Sequence, residues 1–261
     1  MNVTKRRMEI FSLLQKKEVV ELTELAHRFN VSTMTVRRDL QMFERQGLLS
    51  MAYGSAYLRK EAIHEPSFAS KSNYLIEQKQ YIGYAAAQFV RDDETIIVDC
   101  GTTPLQLLKY ISGKRVTVIT NSWPAINFVS GNPKIKLILA PGEYNEISAG
   151  AFGNLTSEFF GCLHVDKVFM GAHGFSIENG ATEPDIETNA KKSILNAGKE
   201  RFLLADATKF DRTYLMQYAQ LSDFHHVITD DSMKTDCRSR LESVCENVIY
   251  AGSSFRGAAE I

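Results

Sequence analysis

Apolar positions follow two different rhythms along this chain. In the first sixty residues they recur at helical spacing. Thr4 can cap a first segment whose stripe includes Ile10, Leu13 and Leu14. Leu22, Leu25, Ala26 and Phe29 follow at i, i+3, i+4 and i+7, one face of a short second helix. The stretch NVS breaks that pattern. Ser32 is a suitable N-cap for a third segment, TMTVRRDLQMFERQ, which Gly47 ends. On this third helix Val36, Leu40 and Phe43 share one side, while Met34, Arg37, Arg38, Gln41 and Arg45 lie on the other. After Gly47, LLSMAYGSAYLRK reads as two short strands around a Gly-Ser turn, a wing beside the helices.

Residues 60–74, KEAIHEPSFASKSNY, have no periodicity and contain Pro66, so they read as a linker. From about residue 75 the rhythm changes to short apolar runs between helical stretches. The runs are TIIVDC (95–100), VTVITN (116–121), KIKLILA (134–140), KVFMGA (167–172), RFLLAD (201–206), HVITD (226–230) and NVIYA (247–251). Most are rich in Val, Ile and Leu without polar alternation, as strands buried on both faces are. Helices are expected near 76–91, 104–112, 122–130, 154–163 and 185–199. The alternation predicts an open, Rossmann-like, mostly parallel α/β sheet. The expected organisation is a winged helix-turn-helix domain over 1–59 (helix-turn-helix about 20–39), a linker over 60–74 and an α/β domain over 75–261.

The chain has 261 residues, 44% of them hydrophobic, enough for one large domain or two unequal ones. No apolar stretch is long enough to cross a bilayer, and the start lacks a secretory apolar region. The four cysteines form no CxxC pair and have no histidine at zinc-site spacing, so reduced thiols in a cytoplasmic protein without metal or cofactor are expected. Charge changes the picture more. Residues 1–60 hold 11 Lys/Arg and 6 Asp/Glu, a balance of +5, and the remainder carries −6. A basic first segment on an acidic body points to a polyanionic partner.

Two short helices, a tight polar turn and a third helix with Thr and Arg near its start are the helix-turn-helix pattern, with double-stranded DNA as partner. Arg37 or Arg38 can reach guanine N7 and O6 or backbone phosphates, while Thr33 and Thr35 can bond phosphates or touch a thymine methyl. Lys5, Arg6 and Arg7 fall in a first helical turn, where positive charge opposes the macrodipole unless a phosphate backbone lies near. The candidate DNA-facing set is Ser32, Thr33, Met34, Thr35, Arg37, Arg38, Gln41 and Arg45, with Lys5 and Arg6.

In the α/β part, small and polar residues gather where the strands end: Asp99 to Thr103, Thr120-Asn121, Pro141-Gly142, Gly171 to Gly174, Asp206 to Lys209 and Thr229-Asp230. Open α/β sheets bind ligands beyond those ends, so a pocket is expected there. Gly101 lets the backbone approach an anion, Thr102 and Thr103 add hydroxyls, and Pro104 suits the first position of the next helix. Lys209 can supply a compensating charge. His173 reads equally as a pocket group or a satisfied structural imidazole.

The run VVELTELAHRFNVSTMTVRRDLQMFERQGLL resembles the N-terminal domain of the DeoR family of bacterial transcription regulators, across nearly all of residues 4–59. The wing departs from the family pattern of a basic residue and Gly-Gly-Ala, having Met51, Tyr53, Gly54, Ser55 and Ala56. IIVDCGTT, VTVITNS, VFMGAHGF…GAT and LLADATKF resemble the same family's sensor domain over roughly 75–231. That domain is similar to ribose-5-phosphate isomerases and binds a phosphorylated sugar. The resemblance implies a sugar-phosphate site at Asp99, Gly101, Thr102, Thr103 and Lys209, lined by Asn121 and Gly171. Cys100 stands where the family has Ser, and APGEY at 140–144 replaces Gly-Gly. The expectation is a homo-oligomeric DNA-binding repressor of a carbohydrate operon, controlled by a phosphorylated sugar and not an enzyme. The alternative is an active phosphosugar isomerase, for which Asp99, Glu183, Asp185 and Asp206 are available bases with no spacing that marks one.

Overall fold

The computed structural model describes residues 6, 7, 9, 10, 13, 14, 17, 19–45, 49–52, 54–58, 67–184 and 188–253. The chain divides into two compact units, residues 1–70 and 71–261.

In the first unit residues 6, 7, 9, 10, 13, 14 and 17 are helical. A short strand, β1 (Val19–Glu21), leads into helix α1 (Leu22–Phe29). Asn30 takes the left-handed conformation, φ 49°, that ends α1, and Val31 N–H donates to Ala26 O at 3.0 Å. Ser32 Oγ then accepts from Thr35 N–H at 3.2 Å, so it caps helix α2 (Thr33–Arg45) as its residue type predicts. Strands β2 (Leu49–Ala52) and β3 (Ser55–Leu58) pair antiparallel around Gly54, whose φ of +77° suits a residue without a side chain. β1 adds to β3, a third strand that the hydrophobic pattern did not predict. The core of this unit is made by Ile10, Leu14, Leu25, Val36, Leu40 and Leu49, all without exposure, with Phe29 and Phe43 close behind.

A six-residue helix, α3 (Phe68–Asn73), lies in the stretch that reads as a linker, and α4 (Ile76–Ala87) follows it. Seven strands form one parallel sheet: β4 (Thr95–Val98), β5 (Val116–Thr120), β6 (Ile135–Leu139), β9 (Val165–Met170), β12 (Gly198–Leu204), β14 (His226–Asp230) and β15 (Val248–Ala251). Their order is β15-β14-β12-β9-β4-β5-β6, and every neighbouring pair is parallel. These are the seven apolar runs. Ile96, Ile97, Val118, Val168, Phe169, Leu203 and Ile228 are fully or almost fully buried, as a sheet covered on both faces requires.

The expected helix over 104–112 is a 3-10 helix, Pro104–Tyr110, buried over Pro104 to Leu108. Two further helices, α5 (Ala125–Val129) and α6 (Asn154–Gly161), are shorter than their apolar stretches, and α7 (Asn189–Ala197) leads directly into β12. Helix α8 (Thr235–Glu242) was not predicted, because TDCRSRLE buries only Leu241 and has no stripe to read. Also unpredicted are the hairpin β7 (Glu143–Asn145) with β8 (Gly150–Phe152), and a small antiparallel sheet of β10 (Gly174–Ser176), β11 (Gly180–Glu183) and β13 (Met216–Ala219). Both sit on the loops after the sheet strands and build walls over the strand ends.

Candidate functional site

The outer face of α2 presents Ser32, Thr33, Met34, Arg37, Arg38 and Gln41 to solvent, with Thr35 half-buried. Met34 is 57% exposed, an apolar side chain displayed at the start of a helix otherwise polar on that side. The wing is tied to the same helix, since Met51 N–H donates to Glu44 Oε1 at 3.1 Å. Arg6 does not belong to this face. Its Nε meets Asp39 Oδ2 at 2.7 Å inside the unit, with side-chain exposures of 7% and 3%. Arg7 Nε meets the other Asp39 oxygen, also at 2.7 Å. Asp39 falls on the buried side of α2 beside Val36, Leu40 and Phe43, and a buried carboxylate requires a cation. That internal requirement accounts for Arg6, whereas Arg7 shares the same carboxylate and stays partly exposed. Lys5 and the side chain of Arg45 lie outside the described residues.

The second unit brings the strand-end residues together. Asp99, at the end of β4, is 1% exposed, and Gly171 N–H after β9 donates to its Oδ2 at 3.0 Å. Cys100 N–H donates to Oδ1 at 2.8 Å. Gly101 packs under Pro104, whose Cδ is 3.0 Å from where a Gly101 Cβ would stand, and Gly171 Cα is 4.0 Å from that point. Thr102 and Thr103 are buried, yet their N–H groups donate to no acceptor among the described residues, and Thr103 Oγ1 has none either. Buried donors left in this state are costly unless a ligand satisfies them. Asn121 closes the next strand end: its Nδ2 donates to Ala151 O at 3.0 Å and holds the β7–β8 hairpin, while its Oδ1 has no partner among the described residues.

Four lysines surround these strand ends. Lys209 Nζ donates to Ala172 O at 2.6 Å. Lys191, on α7, touches Asp99 at 2.5 Å, Glu183 at 3.2 Å and Gly171 O at 2.7 Å, and its ammonium sits 5.0 Å from the Tyr218 ring centroid. Lys79, on α4, is 2% exposed and donates to Lys71 O. Lys71 Nζ lies 3.3 Å from His173 Nε2, and His173 Nδ1 bonds Glu183. Burial and the neighbouring Lys209 and Lys71 push Lys79 down to about 7, despite the opposing pull of Asp206. Burial also lowers Lys209. Lys191 moves the other way: Asp99 and Glu183 outweigh the cost of burying it and hold it protonated. Burial raises the Glu183 carboxyl, but Lys191 and His173 overcome that and leave it at about 2.

His173 is therefore a half-buried member of the network. Lys191, Lys79 and Lys71 were missed, because lysines on helices read as solvated faces. A signal existed. Lys79 shares a stripe with Ile82, Gly83 and Ala86, and Lys191 with Ile194 and Leu195, so each charge lies on the apolar side of its helix. Among the described residues no group of His, Cys, Asp and Glu is placed to hold a metal ion, and no helix is long and apolar enough to cross a membrane.

A winged helix-turn-helix joined to a parallel α/β domain with a cluster of lysines at its strand ends defines a class: transcription regulators that carry a separate sensing domain. The chain belongs to the DeoR family of these regulators, whose helix-turn-helix domain matches residues 6–62 and whose C-terminal sensor domain matches residues 75–231. Among its relatives, the HTH-type transcriptional regulator YgbI of Escherichia coli K12 is 31% identical over 87% of this chain and 90% of its own length. The lactose phosphotransferase system repressor of Lactococcus lactis is 32% identical over 89% and 93%. Among solved structures, ribose 5 phosphate isomerase A from Neisseria gonorrhoeae matches with a TM-score of 0.37 and 14% identity over 51% of this chain and 53% of that one, too slight to bear on function.

Proposed function

We propose that this regulator is a cytoplasmic, homo-oligomeric repressor whose affinity for operator DNA is set by a phosphorylated sugar. The phosphate is held by the Thr102–Thr103 turn, with Lys79 and Lys209 as counter-charges. One observation carries the reading: the Thr102 and Thr103 amides and the Thr103 hydroxyl have no acceptor among the described residues, while burial lowers Lys79 and Lys209 against the opposing pull of Asp206. A phosphate oxygen supplies both needs. Helix α4 packs along the 3-10 helix, Gly83 against Gln106, and Lys79 lies one turn before Gly83 on the same face. A related repressor named for a lactose phosphotransferase system supports a sugar as the carrier of that phosphate.

The DNA-reading residues in this proposal are Arg37 and Arg38 on α2, flanked by Thr33, Met34 and Gln41. One such unit covers little DNA, so two or more copies reading paired half-sites are expected. The isomerase alternative finds less support. Asp99 is fully occupied by Lys191 and two amides, and Glu183 is held at about 2, too weak a base to take a proton from carbon. Asp206 Oδ1 accepts from Thr208 N–H at 3.2 Å and caps the turn that carries Lys209. Asp185 lies outside the described residues.

The test is a mobility-shift titration of the promoter upstream of the chain's own gene, with a panel of pentose and hexose phosphates and the matching free sugars. A phosphorylated sugar is expected to change operator affinity and its free sugar to leave it unchanged. Equal responses to both, or catalytic turnover of the responding compound, would contradict the proposal.

A further inference from the structure

Helix α2 displays an apolar side chain among polar ones. Met34 is 57% exposed, and Arg37, Arg38 and Gln41 are exposed as well. At 100° per residue Met34 shares its side of the helix with all three, and Arg37 and Arg38, three and four residues on, are its neighbours one turn along. Among the described residues of this unit the other exposed large apolar side chains, Val19 and Tyr57, are partners in the β1–β3 pair. Met34 is the second residue of α2, in the turn that a helix-turn-helix unit sets against base edges. Thr35 beside it is half-buried, and its hydroxyl is engaged with Ser32 Oγ at 2.9 Å in the cap of the helix. Of the first three helical residues, Thr33 and Met34 are the exposed ones.

We propose that Met34 reads the 5-methyl group of a thymine in the major groove, close to a guanine read by Arg37 or Arg38. This rests on the reading of α2 as the helix that enters the groove. A thioether donates no hydrogen bond and accepts only weakly, so it cannot select among the donors and acceptors of the base edges. The apolar group presented by the major groove is the thymine methyl. An unbranched side chain with three rotatable bonds can settle against it without a fixed geometry. Three or four residues of helix rise about 4.5–6 Å, between one and two base-pair steps of about 3.4 Å. On a helix lying along the groove, the thymine and the guanine therefore fall about one or two base pairs apart.

Selection from a pool of random duplexes by the full-length protein gives its preferred site. Each thymine of that site is then replaced in turn by deoxyuridine, which removes the methyl and keeps every hydrogen-bonding group. At one thymine the replacement should weaken binding about fourfold, the effect of one buried methyl group. Met34→Ala should bind the thymine duplex more weakly and be indifferent to that replacement, with melting unchanged because the side chain is exposed. Met34→Leu, apolar and similar in size, should retain the response. A wild-type protein that responds to no replacement overturns the proposal. So does a Met34→Ala variant that still responds at the same thymine, which would assign the methyl to Thr33. Arg37→Ala and Arg38→Ala then separate the two readings. If either weakens binding to the selected site, α2 remains the reading helix and only the role of Met34 falls; if neither does, both fall.

Discussion

Replacing Asp39 by alanine removes the carboxylate that two arginines share and leaves the Arg6 guanidinium, 7% exposed, with no counter-charge among the described residues. Arg7 is 36% exposed and can turn to water, so the cost falls on Arg6. Breaking a buried pair from one side costs about 3–5 kcal/mol. At about 4–8 °C per kcal/mol for a domain of this size, the helix-turn-helix unit should melt roughly 12–40 °C lower. The second unit, with its own core, should keep its transition. Calorimetry of the intact chain separates the two, and operator binding at rising temperature should fail in step with the first. The double variant Arg6→Met/Asp39→Leu, which replaces the ions with apolar groups of similar reach, should recover most of the loss. If Arg6 instead touched DNA, Asp39→Ala would leave the melting unchanged, and Arg6→Met would weaken binding and lower the salt slope by about 0.9. Either result would refute the internal role.

Thr103→Val removes a buried hydroxyl that has no partner among the described residues, so the sensor unit alone should be as stable as before or more so, while phosphate affinity drops about 10- to 100-fold by calorimetric titration. Lys79, at about 7 in the folded chain and 10.5 ordinarily, binds a proton in the unfolded chain but not the folded one between those values. Stability of the second unit should therefore rise with pH across that window, and Lys79→Met should flatten the rise in urea unfolding curves. Arg37→Ala and Arg38→Ala should each weaken operator binding with melting unchanged. Loss of a base contact costs about 1–3 kcal/mol at one position, whereas loss of a phosphate contact weakens all sequences and lowers the salt slope by about 1. Normal binding by both variants excludes α2 as the reading helix.

The parts of the fold that were legible are those where burial imposes a long enough pattern. Seven apolar runs mark seven strands because both faces of the sheet are covered, and Leu25, Phe29, Val36 and Leu40 mark two helices because each buries one stripe. The walls over the strand ends are different. GFS, GATE and EYN are strands of three or four residues whose neighbours, not their own composition, decide their conformation. At the candidate site, the Gly-Thr-Thr turn and Lys209 could be placed at strand ends because turns and strand ends announce themselves in local sequence. Lys71, Lys79 and Lys191 could not be assigned in that way, since a helical lysine becomes a pocket residue only through what packs over it. Asp39 hides for the same reason, one acidic residue among apolar positions whose partners are 33 and 32 residues away.

Cys100 occupies the space beside Gly150, where an added Cβ would come within 2.4 Å of its sulfur, and its thiol donates to Ser148 O at 3.0 Å. Burial and the adjacent Asp99 push that thiol up to about 12, although Ser122 and two lysines pull the other way. Thiolate is the form that peroxide and alkylating reagents attack, and at cellular pH almost none is present here. Exposed Cys162, on the far end of α6, meets such reagents first. A sulfur next to the turn proposed to hold a phosphate therefore stays in its protonated, weakly nucleophilic form.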